Sequence, residues 1–254
     1  MGALLEVEAI SRSFGGVQAL AGAELRVEEG SVTGLIGPNG SGKTTLFNVI
    51  TGYEKADAGV VRFGGTPITN WRPERIFARG VGRTFQLTRI FNRLTVLENM
   101  LVATQRRESW VRSMVRPTAS AGERERGYEL LDFVGLTRLA DEPAGSLSFG
   151  QRKLLELAYI LVADPALILL DEPAGGVNPS LVLQLAERVS ALNAQGKTFL
   201  IVEHNMEFVM NLCHEVSVLS YGKLIMSGKP AEVRADPRVL DAYLGGDGED
   251  EDDE

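Results

Sequence analysis

Eight consecutive residues, Gly37-Pro38-Asn39-Gly40-Ser41-Gly42-Lys43-Thr44, fill every fixed position of the pattern G-x-x-x-x-G-K-[ST]. Glycines at this spacing let successive backbone N–H groups turn inward around phosphate oxygens with no Cβ in the way. A helix starting at the end of the loop adds unpaired donors and the positive end of its dipole. Lys43 is then expected to reach the β- and γ-phosphates of a nucleotide. Thr44 would offer its hydroxyl to Mg²⁺, with Thr45 beside it. A second acidic station, Asp171-Glu172, closes the apolar run Leu167-Ile168-Leu169-Leu170. A carboxylate at the end of a buried strand can sit beside the metal, and the next one can polarise a water for attack on the γ-phosphorus. The pair alone could equally cap a following helix before Pro173. Together with the phosphate loop it predicts nucleotide hydrolysis.

The elements needed to hold these groups are legible as well. Leu5-Val7-Ala9 and Ala23-Leu25-Val27 alternate with polar neighbours and predict strands, the second ending at the turn Glu29-Gly30. Val32–Ile36 is a short apolar strand entering the phosphate loop, and Thr44–Ile50 is predicted helical. Helices are expected over Leu94–Ala103, Gly127–Val134 and Ser148–Val162, the last with an apolar stripe of Leu154, Leu157, Ala158 and Leu161. Gln105–Glu125 is expected to be irregular. Leu167–Leu170 and Phe199–Val202 are unbroken apolar runs, as parallel strands covered on both faces require. Leu181–Leu192 supplies the crossover helix between them, with Val182, Leu185, Ala186 and Val189 on one side. The fold class expected is α/β: a P-loop NTPase with a mainly parallel core sheet and an N-terminal antiparallel β subdomain. Residues 1–244 are expected to form one domain with a helical insertion at about 88–161, and 245–254 an acidic disordered tail.

Composition narrows the class further. The chain has 254 residues, 44% hydrophobic and 24% charged, which is ample for a buried core. Seven acidic side chains lie between Asp247 and Glu254, so the rest of the chain carries only about one unit of the −8 net charge. No basic face for nucleic acid is expected. No apolar run approaches the ~18–20 residues of a membrane span; the best, Leu154–Leu170, is cut by Glu156 and by Asp164-Pro165. The opening stretch has no basic leader and carries Glu6 and Glu8 early, so no secretory signal is expected. The single cysteine, Cys213, suits a reducing compartment. The expectation is a soluble, intracellular protein.

Four further stations resemble the ABC ATPases in order and spacing. Gln86, in Arg83-Thr84-Phe85-Gln86, resembles the glutamine that joins core to helical insertion and senses Mg²⁺ and the attacking water. Leu147-Ser148-Phe149-Gly150-Gln151 resembles the family signature. The resemblance implies that Ser148, Gly150 and Gln151 bind the γ-phosphate held by an opposite subunit, and Ser148 also stands where a helix N-cap belongs. His204 resembles the switch histidine that contacts the γ-phosphate, and Ala174–Pro179 the loop joining the two subunits' sites. Phe14 resembles the aromatic that stacks on adenine, the alternative being an ordinary core phenylalanine. The likeness spans Phe14 to about Gly228. It implies cofactors ATP and Mg²⁺, with Glu172, His204 and Gln86 catalytic and Thr44, Gln86 and Asp171 around the metal. Three positions depart from the pattern: Phe149 replaces a glycine, Asn178 a common aspartate and Tyr159 a common arginine.

More narrowly, Gly82–Gln86, Leu94–Met100, Leu147–Leu157 and Asp236–Gly245 resemble the ATP-binding subunits of branched-chain amino-acid importers. The implied partners are a second ATP-binding subunit, two integral membrane permeases and an extracytoplasmic binding protein, with the chain peripheral on the cytoplasmic face of the inner membrane. Urea or amide importers and lipopolysaccharide-export ATPases are similar enough to stand as alternatives. A segment around Trp110, Val111, Met114 and Val115 is read either as a contact for a membrane partner or as cover for the insertion's own core. A soluble ABC ATPase of DNA repair or translation is the competing class, but such chains commonly fuse two ATPase domains, insert long coiled coils or display basic surfaces. A GTPase or kinase is disfavoured because no Asn-Lys-x-Asp guanine reader occurs.

Overall fold

A computed structural model describes residues 2–84, 90–104 and 119–244. Gln86, the Trp110 segment and the tail at 245–254 lie outside the described residues.

Among the described residues two sheets carry the chain. The first is antiparallel, in the order β2-β1-β4-β5, from β1 (Ala3–Phe14), β2 (Val17–Glu28), β4 (Ala58–Phe63) and β5 (Thr66–Pro67). The second runs β10-β9-β3-β8-β7-β6, from β3 (Val32–Ile36), β6 (Val81–Arg83), β7 (Leu167–Asp171), β8 (Thr198–Val202), β9 (Glu215–Ser220) and β10 (Lys223–Gly228). All its pairings are parallel except the β9–β10 hairpin. The unbroken apolar runs of β7 and β8 are explained by cover on both faces. Ile168, Leu170, Phe199 and Ile201 face a helical layer, while Leu167, Leu169, Leu200 and Val202 face the antiparallel sheet.

Among the described residues the α-helices are α1 (Lys43–Ile50), α2 (Pro73–Ala78), α3 (Val96–Thr104), α4 (Ala121–Phe133), α5 (Phe149–Leu161), α6 (Pro179–Ala194), α7 (Met206–Leu212), α8 (Pro230–Ala235) and α9 (Pro237–Leu244). Among the described residues no helix is long and apolar enough to cross a membrane. The stripe predicted on α5 is buried, with Leu154, Leu157, Ala158 and Leu161 between 0% and 4% exposed. On α6, Leu185 and Val189 are buried, with Val182 and Ala186 packed partly buried beside them.

Two expectations are corrected. Gln105–Glu125 is not irregular throughout: α4 begins at Ala121, where Ser120 and Glu123 cap each other's backbone and fix the helix start. The strict alternation Leu5-Val7-Ala9 also fails. Leu5 and Val7 are buried, but Ala9 is exposed and adopts φ +47°, and Ile10 takes the inward place. A register irregularity between Val7 and Ile10 in the β1–β2 ladder re-aims the strand by one residue.

Candidate active site

The phosphate loop lies between β3 and α1, at the carboxyl end of a central strand. Gly42, the α1 N-cap, has φ +102°, and a Cβ there would lie 2.5 Å from the Ala19 carbonyl oxygen of β2. Both the left-handed backbone and the close approach demand glycine at this point. Lys43 Nζ donates to the carbonyls of Gly37 and Pro38, each at 2.8 Å, which folds the loop around its ammonium. Burial pushes the Lys43 pKa down, and the nearby charges of Glu172 and Asp171 oppose that shift. A cavity of about 210 Å³ is lined by Asn39–Thr45 together with Ala19, Glu172 and His204.

Asp171 ends β7 and Glu172 begins the following turn, beside the end of β8. Glu172 Oε1 lies 2.8 Å from His204 Nε2, so residues from two neighbouring strand ends meet at the mouth of the loop. Glu172 adopts φ +48°, a conformation that costs a residue with a side chain roughly 1–3 kcal/mol and so must be held by its surroundings. Asp171 is 4% exposed at its side chain and pairs through Oδ2 with Arg83 Nη2 at 2.9 Å. Arg83 Nη1 also donates to Asn48 Oδ1 at 2.7 Å and Thr51 Oγ1 at 3.0 Å, which links β6, β7 and the end of α1. The backbone N–H of Asp171 donates to Thr84 Oγ1. The Thr44 hydroxyl and the Asp171 carboxylate are the oxygen donors that a small, hard dication takes, so the residues present fit Mg²⁺.

The signature residues lie apart from this cavity. Ser148 is the N-cap of α5: its Oγ accepts from Gln151 N at 3.2 Å, and Gln151 Oε1 accepts from Ser148 N at 2.9 Å. Because Oγ serves as acceptor in that bond, its proton remains to be given to an anion. A Cβ on Gly150 would lie 1.9 Å from Leu181 Cδ2, so this glycine lets α5 close on the start of α6. Phe149, 46% exposed, flanks Gly176 and lies 5.2 Å from the Lys153 ammonium. Asn178 caps α6 by accepting from Leu181 N at 2.9 Å, a task asparagine performs as well as aspartate. Phe14 is 41% exposed with the Arg12 guanidinium 4.6 Å from its ring centroid, which rules out the core alternative. Neither Phe14 nor Asp171 lines the 210 Å³ cavity.

Sequence reasoning missed three charged residues here. Arg83 lies in the run Arg83-Thr84-Phe85-Gln86, where the sequence alone suggests no role for it. Glu203, 2% exposed, accepts from the backbone N–H groups of Ala174, His204 and Asn205. Lys153 reaches the carbonyl of Glu172. The available signal was an acidic residue at the end of an apolar strand, since a buried charge must find partners.

A family model described as "ABC transporter" matches residues 20–175, and one described as "Branched-chain amino acid ATP-binding cassette transporter" matches 223–249. A probable branched-chain amino acid transport ATP-binding protein of Archaeoglobus fulgidus is 39% identical over 245 residues, covering 95% of each chain. The high-affinity branched-chain amino acid transport ATP-binding protein of Pseudomonas aeruginosa is 37% identical over 249 residues, covering 95% of this chain and 98% of its own. Among solved structures, the ADP conformation of an ATP-binding cassette of an ABC transporter superposes with a TM-score of 0.87 at 39% identity, covering 96% of this chain and all of its own. The cbiO1 protein of Clostridium perfringens, part of the ABC transporter complex cbiONQ, superposes with a TM-score of 0.80 at 28% identity, covering 98% of each chain. The likeness runs the length of the chain, which sets a phosphate loop beside a Glu–His pair: it belongs to the ABC transporter family, as an ATP-binding and ATP-hydrolysing subunit.

Proposed function

We propose that this subunit drives import of branched-chain or other hydrophobic amino acids, hydrolysing ATP at the cavity formed by the phosphate loop, Glu172 and His204. The observation that carries the chemistry is the 2.8 Å contact between Glu172 and His204 at the mouth of that loop. Backbone N–H groups of Gly37–Gly42, with Lys43, bind and orient the phosphates. Thr44, Asp171 and Gln86 would hold Mg²⁺, which supplies charge neutralisation of the phosphate oxygens. Glu172 takes a proton from the attacking water, and the His204 ring keeps that carboxylate aimed and contacts the γ-phosphate oxygens. Phe14 stacks on the base.

Ser148, Gly150 and Gln151 lie outside the cavity of their own chain, which supports their reading as the cap over nucleotide bound by a second ATP-binding subunit. Two permeases complete the working unit, together with an extracytoplasmic binding protein, and the chain sits peripherally at the cytoplasmic face of the inner membrane. A depression of about 1070 Å³, lined by Tyr53, Phe77, Ile90, Arg126 and Tyr159 among others, suits a permease's cytoplasmic loop. Residues 1–244 act as one ATPase unit with the helical part inserted.

The names of the relatives and the match at residues 223–249 support the solute class. Uptake of urea or amides and export of lipopolysaccharide are the alternatives. E172Q is expected to bind ATP while turnover falls by about 10²–10⁴-fold. Full turnover by that variant would overturn the role of Glu172. Co-purification with two polytopic proteins, whose reconstitution gives ATP-dependent leucine uptake, tests the transport assignment. Uptake of urea instead would overturn the solute.

A further inference from the structure

Glu172 holds its carboxylate against His204 from a strained left-handed backbone, so the restraints on its turn decide where the carboxylate points. Those restraints come from several elements. The Glu172 N–H donates to Val202 O of β8 at 2.9 Å, and its carbonyl accepts from Gly175 N at 3.1 Å. The same carbonyl accepts from Lys153 Nζ at 2.5 Å, and that ammonium also reaches Pro173 O at 3.3 Å. Lys153 belongs to the first turns of α5, the helix that Ser148 caps. On the opposite side of the turn stands Glu203. Its Oε1 accepts from Ala174 N at 2.5 Å, and its Oε2 from His204 N at 3.0 Å and Asn205 N at 3.1 Å. One buried carboxylate therefore ties the backbone two residues beyond Glu172 to the backbone that carries His204. Burial pushes the Lys153 pKa down, while the charge of Glu203, then those of Glu156, Glu172 and Asp171, hold it up.

We propose that Lys153 and Glu203 are positioning residues for hydrolysis, gripping the 172–174 turn from its carbonyl and amide sides so that Glu172 and His204 stay in register. Lys153 comes from the signature helix, so a displacement of that helix reaches the chain's own Glu172 through the Lys153 ammonium. The inference rests on the reading of Glu172 as the base. K153M keeps the stem and removes the donor. E203Q keeps the shape and turns an N–H donor towards a backbone N–H.

The test is ATPase kinetics of the full chain alongside binding of a fluorescent ATP analogue. In each variant kcat is expected to fall by about 10- to 100-fold, because small displacements of a reacting group cost that much. KM and analogue affinity should stay within about twofold of the parent, and K153R should recover most of the lost turnover. In the E172Q background neither change should lower residual turnover by more than about twofold, since both act through that carboxylate. Parent-like kcat in K153M and E203Q beside a dead E172Q overturns the clamp alone. Parallel loss of kcat, affinity and melting temperature also overturns it, as a folding defect. Full turnover by E172Q overturns the base reading and the clamp with it. If E203Q does not fold, K153M and K153R decide the matter by themselves.

Discussion

R83M should cost far more than a surface charge deletion, and the structure sets the size. The Arg83 and Asp171 side chains are 7% and 4% exposed and meet at 2.9 Å. An exposed pair would contribute about 0–1 kcal/mol. Removing one member of a buried pair strands the other charge away from water, which costs about 3–5 kcal/mol. Asn48 and Thr51 lose a donor as well, but Asn48 is only partly buried and water can replace the guanidinium there. The estimate for R83M is therefore about 3–5 kcal/mol, dominated by the abandoned carboxylate. Urea unfolding followed by far-ultraviolet circular dichroism measures it, as a midpoint lowered by about 1 M or more. D171N should also destabilise, and the double variant R83M/D171N should recover part of the loss, with a coupling of at least about 1.5 kcal/mol. A cost for R83M under about 1 kcal/mol, or losses that simply add in the double variant, would refute the reasoning.

Three other outcomes are expected. G150A should lose about 1–3 kcal/mol by overpacking against Leu181, offset by up to about 1 kcal/mol from alanine's better helix propensity; in an L181A background the same change should become neutral or stabilising in a urea titration. Burial, with a smaller push from Glu203, raises the Cys213 thiol to about 12, so iodoacetamide at pH 8 should label it only as fast as the protein opens; immediate labelling of folded protein would contradict its burial. The Ser13 backbone N–H, and then Arg12, hold the Asp57 pKa below its ordinary 3.8, so its stabilisation is complete above that value and disappears as pH falls through the lower folded value. The stability gap between the parent and D57N should therefore be present at pH 7 and close on acidification; a gap that widens in acid would contradict the sign.

The helices and central strands nearest the phosphate loop were legible because their signals are local. Apolar runs marked β3, β7 and β8, and a 3.6-residue stripe marked α5. The weaker elements escaped for equally physical reasons. The strand β6 is three residues long and has no period of its own. The start of α4 at Ala121 is fixed by a Ser120–Glu123 capping box, within a stretch too polar to show a stripe. Ala9 turned outward because a bulge changed the register, and a bulge depends on the neighbouring strand as much as on its own.

By itself the sequence determined the phosphate loop, the acidic pair at the end of β7 and the capped start of α5. Each is a backbone preference that a few adjacent residues enforce, through glycine freedom, helix-end donors or a side-chain cap. The sheet order β3-β8-β7-β6 was decided only in the folded molecule, because no strand's own residues name its neighbours. From that order came the meeting of Glu172 with His204, the pairing of Arg83 with Asp171 and the grip of Lys153 and Glu203 on one turn. Buried charges far apart in the chain find partners according to which strand ends lie side by side, and the cost of leaving them unpaired holds those contacts in place.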